Sequence, residues 1–343
     1  MGRRISVLPL LAALLYVALR LAAGAGERLL DTPYLGHGDT PATTVIPKGS
    51  SGKETALRLA AAGVVRDARA LQWWLRLTGR AGFIHAGEYR FAEPYTVRQV
   101  AEILVQGRVA MQPVTIPEGA THWQVAETLA AAGFGSYEEA LVATEQKELI
   151  ASLDPQASNL EGYLFPDTYY APHSASAAEV IGLMVERFRR AWTARRRAQA
   201  GRQGMGVREI VTIASLVETE AAQPFERPLV AAVYHNRLQR GMLLQCDPTL
   251  LYALRLSGRT DRNIQRADFA HDSPYNTYLY PGLPPGPIAN PGEASLDAAL
   301  SPAAVDYLYF VGRNDGSHAF SRTLREHNAM VNRFQRRLGR TRH

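Results

Sequence analysis

Cysteine is almost absent from this chain: Cys246 is the only one in 343 residues. No disulfide can form within the chain, and this suits an oxidising or a reducing compartment equally. No group of histidines and cysteines has the spacing of metal ligands, which counts against a structural zinc. We therefore expect neither a metal nor a cofactor.

Several short catalytic motifs are also missing. The sequence has no P-loop, no G-x-G-x-x-G and no H-E-x-x-H. Ser215 does not lie in a G-x-S-x-G turn, and Cys246 lacks a sequence context for nucleophilic catalysis. Nucleotide-dependent and covalent-nucleophile schemes are therefore poorly supported.

The overall composition is that of a globular protein with an ordinary core. Hydrophobic residues make up 46% of the chain, and 343 residues are enough for two or three domains. The formal charge is +6, and much of the excess comes from arginine-rich stretches that are typical of solvated helix faces. No nucleic-acid-binding module is recognisable, so we expect no nucleic-acid partner.

The N-terminus favours a membrane anchor. Arg3 and Arg4 precede an apolar run from Ile5 to Leu19, which Arg20 interrupts near its far end. Fifteen apolar residues are short for a span of about 20, but Arg20 can extend to the interface. The basic residues predict a cytoplasmic N-terminus. Cleavage as a signal peptide near Ala23–Ala25 is the alternative.

An internal repeat follows a segment rich in glycine, proline and threonine, 27–43, that is typical of a linker. Ile46-Pro47-Lys48-Gly49 is followed by Leu59–Gly63, and seventy residues later Ile116-Pro117-Glu118-Gly119 is followed by Leu129–Gly133. Each copy predicts a short strand, a glycine turn and an amphipathic helix that stops at glycine.

The rest of the chain predicts a mixed, mostly helical α+β fold. Helices are expected at Ala68–Thr78, Val97–Gln106, Tyr137–Glu145, Ala177–Ala200, Arg208–Ala221, Arg227–Arg240, Asp247–Leu254, Glu293–Leu300 and Leu324–Leu338, and strands at Phe83–Arg90 and Tyr307–Gly312. The segment Ser273–Gly292 is dense in proline, glycine, asparagine and tyrosine, and it cannot form a long regular element.

Glu218 is the residue that the helical pattern singles out. In Val207–Ala221 the apolar residues recur at helical spacing, and Glu218 falls on their side, while Glu209 and Glu220 fall opposite. Desolvation favours the neutral form of a carboxyl, and a protonated carboxyl can act as a general acid. A carboxylate paired with a buried arginine, or one that faces a groove without chemistry, is the alternative.

Other polar residues are candidates for substrate binding. Glu161 and Asp167 lie in the aromatic-rich stretch Leu160–Tyr170, whose rings suit a sugar platform or, alternatively, a core. Gln245 and Asp247 precede a predicted helix, which Asp247 is expected to N-cap with Pro248 first in the helix. Tyr275 and Asn276 lie in the irregular segment, and His318 is compatible with a surface turn.

Five blocks together resemble the YceG-like endolytic murein transglycosylases. They read LEGYLFPDTYY, ASLVETEA, HNRLQRGMLLQCDPTLLYAL, SPYNTYLYPGLPPGPIANPG and YFVGRNDGSHAFSRTLREHN, in this order, and the resemblance runs from about Leu160 to Asn332. The family's essential glutamate falls on Glu218. Two positions depart from the family pattern: Cys246 stands where serine or threonine is expected, and Thr219 where lysine is frequent.

The resemblance implies an enzyme of the lyase class and a domain order. Residues 1–26 would be a cytoplasmic stub and anchor, 27–43 a linker, 44–135 a LysM-like peptidoglycan-binding region and 136–338 the catalytic domain. The protein would be a single-pass inner-membrane protein with most of its chain in the periplasm. Its substrate would be glycan strands, and peptidoglycan synthases would be partners.

The implied reaction cleaves the bond between N-acetylmuramic acid and N-acetylglucosamine and leaves a 1,6-anhydro end. Glu218 would act first as acid and then as base, with Ser215 as a possible hydrogen-bond partner for it or for the substrate. A muramidase that hydrolyses the same bond and a non-catalytic peptidoglycan-binding scaffold are the alternatives.

Overall fold

The computed structural model describes residues 8–261 and 263–336. This part of the chain contains thirteen α-helices and six short β-strands, which confirms a mixed α+β fold. The helices are α1 (Leu8–Asp31), α2 (Gly52–Ala61), α3 (Ala68–Leu77), α4 (Val97–Val105), α5 (His122–Ala131), α6 (Tyr137–Thr144), α7 (Ala177–Ala191), α8 (Ala194–Arg202), α9 (Val207–Glu220), α10 (Arg227–Gln239), α11 (Asp247–Leu256), α12 (Glu293–Leu300) and α13 (Leu324–Val331). The strands are β1 (Ala42–Ile46), β2 (Gly87–Phe91), β3 (Met111–Thr115), β4 (Thr168–Pro172), β5 (Tyr309–Gly312) and β6 (His318–Ser321).

The chain divides into two units. The first contains the described residues up to Gln112, together with Ala171–Ser174. The second contains Pro113–Tyr170 and the described residues from Ala175 onward. The two copies of the Ile-Pro-x-Gly repeat therefore lie in different units.

The first unit is built around a β1–α2–α3–β2 segment. β1 and β2 pair antiparallel, with Ala42 opposite Phe91 and Ile46 opposite Gly87. Side chains from both strands and from α2, α3 and α4 form its core, because their apolar residues recur at strand or helix spacing. The largest of them are Ile46, Leu59, Leu71, Leu75, Tyr89, Phe91 and Leu104.

The repeat seen in the sequence is also a repeat of structure. β1 ends at Ile46 and α2 follows, and β3 ends at Thr115 and α5 follows. Gly49 and Gly119 both have positive φ, +83° and +77°, so the same left-handed turn joins strand to helix in each copy. The predicted order of strand, glycine turn and helix is confirmed in both copies.

In the second unit, α9 is surrounded by other helices. α12, α10, α11 and α8 all pack against it. Every residue from Ile210 to Val217 is buried, so this helix is enclosed on all sides and not on one face. β5 and β6 form an antiparallel pair, with Tyr309 opposite Ser321.

Two local features differ from the prediction. The helix expected over Ala177–Ala200 is broken at Trp192 and Thr193, because the Thr193 hydroxyl accepts a hydrogen bond from Arg196 N and so starts α8. His318 is not in a surface turn: it is the first residue of β6 and its Nδ1 lies 2.7 Å from Glu226 Oε2.

The structure contradicts the predicted single-pass localisation in the inner membrane. No helix in residues 8–261 and 263–336 combines the length and the apolar character that a membrane crossing needs. α1 has enough residues, but its apolar run ends at Arg20 and three further charges follow before it stops, at Glu27, Arg28 and Asp31. Met1–Val7, which include the predicted cytoplasmic arginines, lie outside the described residues.

Candidate active site

Glu218 lies on the last turn of α9, and its side chain is only 5% exposed. Gly292 N donates a hydrogen bond to its Oε2 at 3.0 Å, and Arg227 Nη2 donates one to its Oε1 at 3.1 Å. Arg227, the first residue of α10, also donates from Nε to Ser295 Oγ in α12. The ends of three helices therefore hold this carboxyl in one place.

These partners refine the expectation of a purely apolar environment. The sequence left open that Glu218 pairs with a buried arginine. Arg227 is such a partner, and its side chain is 13% exposed. A groove of about 550 Å³ is present as well, and Glu218 forms part of its wall. We call this feature the Glu218 groove; its wall includes Glu118, Trp123, Glu218, Pro248, Tyr252 and Arg255.

Aromatic rings form one side of the Glu218 groove. The rings of Trp123 and Tyr252 lie 5.2 Å apart, and Tyr275 packs against Tyr252 at 4.9 Å. Arg255 lies over Trp123 at 5.4 Å. A groove lined by a carboxyl and by such rings suits a ligand with apolar faces and polar edges, as sugars have.

A second carboxyl, that of Glu118, faces the same groove. Glu118 Oε2 lies 3.6 Å from Arg227 Nη2, the same nitrogen that contacts Glu218, and half of the Glu118 side chain is exposed. Burial and the neighbouring Glu218 raise the pKa of Glu118, and Arg227 opposes them. Sequence reasoning missed this residue, although the repeat marked it: the first copy has Lys48 at the equivalent position.

Glu161 lies behind the aromatic side and not in the groove. It is buried, and its carboxylate accepts hydrogen bonds from His122 N and from Asn290 Nδ2. His122 Nδ1 lies 2.6 Å from Glu161 Oε2, and the His122 ring packs on Trp123 at 4.0 Å. This network therefore positions the Trp123 ring.

Ser215 and Asp167 do not line the groove. Ser215 is fully buried: its hydroxyl donates to Thr212 O at 2.7 Å and accepts from Ile288 N at 3.1 Å, so it does not bond to Glu218. Asp167 accepts a hydrogen bond from Arg187 Nε at 2.9 Å. The structure does not bring either residue to the carboxyl of Glu218.

Gln245 and Asp247 line a different cavity, of about 440 Å³, together with Glu220 and Tyr278. Asp247 is not the predicted N-cap of α11: Cys246 is, and Asp247 is the first helical residue and accepts a hydrogen bond from Tyr278 OH. Gln245 has a positive φ of 49°, an uncommon backbone conformation outside glycine.

Glu220 departs from the expectation for a solvent-facing helix carboxylate. It is partly buried, and Cys246 Sγ lies 3.5 Å from its Oε1. Burial raises the pKa of Glu220 to about 7. The helix pattern placed it opposite the apolar face, but α9 has no free face for it to occupy.

Asn276 shapes the irregular segment. It is fully buried, and its Nδ2 donates hydrogen bonds to the carbonyl oxygens of Phe269 and His271. Its Oδ1 accepts a hydrogen bond from Tyr278 N. Its side chain is therefore occupied within the protein, while the adjacent Tyr275 packs against Tyr252, a residue of the groove wall.

No group of three or more histidine, cysteine, aspartate or glutamate side chains in residues 8–261 and 263–336 is arranged to hold a metal ion.

Comparison with known proteins gives the class to which this chain belongs. The sequence profile of the YceG-like family matches residues 44–333, so the chain belongs to the YceG-like family. This confirms the resemblance found in the sequence.

Individual relatives agree with this assignment. An endolytic murein transglycosylase from Bacillus subtilis is 32% identical over 325 residues, which cover 90% of this chain and 89% of that protein. One from Streptococcus pneumoniae is 29% identical over 355 residues, which cover 93% of this chain and 63% of that protein. A crystal structure described as that of a YceG-like protein from Listeria monocytogenes is similar with a TM-score of 0.59 and 33% identity, and it covers 84% of this chain and 98% of that one.

Proposed function

We propose that this protein cleaves the bond between N-acetylmuramic acid and N-acetylglucosamine in peptidoglycan strands and leaves a 1,6-anhydro end. Its homologues indicate an enzyme of the lyase class, a lytic transglycosylase. The specific bond, the anhydro product and the residues that act are our proposal.

One observation carries the proposal: a buried, doubly hydrogen-bonded carboxyl faces an open groove with an aromatic side. Glu218 is held by Gly292 and Arg227, so its position does not depend on solvent. The Trp123 and Tyr252 rings offer a surface for the apolar faces of sugars. An open groove, unlike a closed cavity, admits a strand at an internal position.

In the proposed reaction, Glu218 first gives its proton to the glycosidic oxygen. Positive charge develops at C1 of the muramic acid as the bond to oxygen breaks. Arg227 and the Gly292 N–H then stabilise the carboxylate that remains. This carboxylate accepts the proton of the C6 hydroxyl while that oxygen bonds to C1. The nucleophile belongs to the substrate, so no water enters.

The test is the variant Glu218→Gln with isolated glycan strands, and the products are analysed by mass spectrometry. We expect wild type to release anhydro-ended fragments and the variant to be slower by roughly 10²–10⁴-fold, the usual contribution of a general acid or base. Glu209→Gln is the matched control, because it makes the same change on the same helix and glutamine can still cap Gly206.

Two results would contradict the proposal. Wild-type activity in Glu218→Gln, with unchanged folding, would remove Glu218 from the chemistry. Products that are heavier by one water would show hydrolysis in place of ring closure.

Hydrolysis is the second candidate because of Glu118. Glycosidases that use two carboxyls place them roughly 5–9.5 Å apart, and Glu118 and Glu218 contact the same guanidinium nitrogen. The mass of the product separates a muramidase from a lyase directly. The homologues favour the lyase.

We also propose that the region 44–135 binds glycan in a LysM-like manner. The support is the β1–α2–α3–β2 order with an antiparallel strand pair, together with the exposed Trp73 on α3, whose ring is free to stack on a sugar. Partnership with peptidoglycan synthases stays a prediction.

A further inference from the structure

We propose that Glu118 is a second catalytic carboxyl, which lies beside the same guanidinium nitrogen of Arg227 as Glu218 and holds one proton jointly with it. The inference rests on the proposed function. It adds a second acidic residue to a scheme in which Glu218 alone acts as acid and base. We call the group of Glu118, Glu218 and Arg227 the carboxyl cluster. The inference follows from the contacts of Glu118, from its close approach to Gly292 and from the balance of charge in this cluster.

The geometry of the carboxyl cluster joins the two acids. Arg227 Nη2 lies 3.1 Å from Glu218 Oε1 and 3.6 Å from Glu118 Oε2. The turn that carries Glu118 also lies against Glu218, since a Cβ at Gly119 would be 3.6 Å from Glu218 Cγ. Both carboxyls line the Glu218 groove. A substrate that reaches one therefore lies next to the other.

Gly292 shows how closely Glu118 is packed. The backbone there has φ −77° and ψ 175°, which any residue can adopt, so its conformation does not require glycine. The observed position of Glu118 does depend on glycine, because a Cβ at residue 292 would overlap Oε1, Cδ and Cγ of Glu118 and the carboxyl would have to move. The same residue donates its N–H to Glu218. Gly292 therefore contacts both acids and leaves room for Glu118.

The charges of the cluster favour one shared proton. Two carboxylates beside one guanidinium leave one negative charge without a partner. Like charges at short distance raise the affinity of the pair for a proton. Glu218 has two strong donors, while Glu118 has the longer contact with Arg227, and its pKa is raised by burial and by Glu218. Glu118 is therefore the carboxyl of the pair that the guanidinium of Arg227 stabilises less.

The two copies of the repeat differ at this one charged position. Lys48 follows Ile46-Pro47 in the first copy, and Glu118 follows Ile116-Pro117 in the second. Both turns have the same left-handed glycine, so the turn itself accepts either side chain. The acidic residue occurs in the copy whose turn contacts Glu218.

The reaction balances with the pair as the acid and base. The shared proton passes to the glycosidic oxygen, which leaves with the electron pair of the C1–O bond. The C6 oxygen then bonds to C1, and its proton returns to the pair. The cluster ends with the proton it had at the start, and neither water nor a cofactor is consumed.

The test compares the pH dependence of kcat/KM in wild type, Glu118→Gln and Gly292→Ala, with release of anhydro-ended fragments as the assay. Glu118→Gln removes the second negative charge. We expect activity at neutral pH to fall at least about tenfold, and the alkaline limb of the profile to move to lower pH by about one unit. Gly292→Ala keeps the charge but displaces the Glu118 carboxyl, so we expect a loss of activity in the same direction.

The matched control is Glu186→Gln. Glu186 is 60% exposed and pairs with Arg189 at 3.2 Å, much as the half-exposed Glu118 pairs with Arg227, but it lies on α7 and does not line the groove. We expect its pH profile to equal that of wild type. Thermal unfolding of each variant checks that the fold is retained.

The outcomes separate this inference from the proposed function. If wild type releases anhydro ends and Glu118→Gln has the same rate and pH profile, Glu118 has no catalytic part and the proposed function stands. A slower Glu118→Gln with an unmoved alkaline limb would show a binding role and overturn the shared proton. If wild type releases no anhydro ends, the proposed function itself fails.

Discussion

Replacing Glu220 by glutamine is expected to remove a large part of the pH dependence of this protein's stability. Glu220 ends α9 and lines the second cavity, not the Glu218 groove. Burial raises its pKa to about 7; contact with Cys246 and the nearby His318 lower the pKa, and Asp247 raises it. Desolvation is the largest of these effects, so the folded protein keeps a proton that the unfolded chain releases.

The size and sign of the effect follow from the two pKa values. The ordinary value for the side chain is 4.5, and one pKa unit corresponds to 1.36 kcal/mol. The pKa shift of Glu220 therefore changes the free energy of unfolding by roughly 3 kcal/mol between low and high pH. Because the folded pKa is the higher one, the free energy of unfolding is unaffected below about pH 4.5. It falls as the pH rises toward 7, where the folded protein also loses the proton.

Urea unfolding of wild type and Glu220→Gln at pH 5 and at pH 8 measures this effect. Glutamine does not titrate, so we expect the variant to gain up to roughly 3 kcal/mol relative to wild type between the two pH values. Glu209→Gln, on the exposed start of the same helix, is the control and should show no such gain. An equal change in wild type and Glu220→Gln between pH 5 and pH 8 would refute the reasoning.

Two further predictions concern the groove wall and the first unit. Asn290→Ala should lower the free energy of unfolding in urea by about 2–4 kcal/mol, because it leaves the buried Leu164 N without its acceptor and removes one hydrogen bond each from Ala120 O and Glu161; a loss under 1 kcal/mol would contradict this. Trp73→Ala should lower the affinity of the full chain for isolated peptidoglycan roughly tenfold, as measured by co-sedimentation, since the ring is 67% exposed. An equal loss of affinity in Phe225→Ala, an exposed aromatic of the other unit, would speak against a specific site.

The helices were predictable where local signals agree. α3, α4, α6, α9, α10 and α12 begin and end within a residue or two of the expected positions, because caps and apolar spacing point to the same limits. The break between α7 and α8 was not visible, since nothing but the Thr193 cap marks it. β6 was missed because its pairing with β5 depends on a distant segment, not on its own four residues.

The candidate site was predictable only in part, for a physical reason. Periodicity selected Glu218, yet the middle of α9, from Ile210 to Val217, is buried on all sides, so a single apolar face describes this helix incompletely. The same argument misplaced Glu220. Arg227 and Gly292 complete the environment of Glu218, and their approach depends on how α10 and α12 pack on α9. A pattern within one helix carries no information about that packing.

Cys246 is one of the two departures from the family pattern. Its side chain is buried, and it lies 3.3 Å from Tyr234 OH and 3.5 Å from Glu220 Oε1. These contacts are on the side of the second cavity and not on the Glu218 groove. Replacement of a hydroxyl by a thiol there therefore changes the surroundings of Glu220 and leaves the contacts of Glu218 intact.

The position of Glu118 bears on where the catalytic part of the chain begins. The sequence blocks that resemble the family start at Leu160, and the predicted catalytic domain starts at residue 136. In the structure the second unit begins at Pro113, so the turn with Glu118 belongs to the same unit as Glu218. Gly119 N donates to Asn290 O, and Asn290 N donates to Ala120 O, which ties this turn to the segment that leads to Gly292. A chain that started at residue 136 would therefore lose one acid of the pair and one side of the groove, so the second copy of the repeat is part of the site itself.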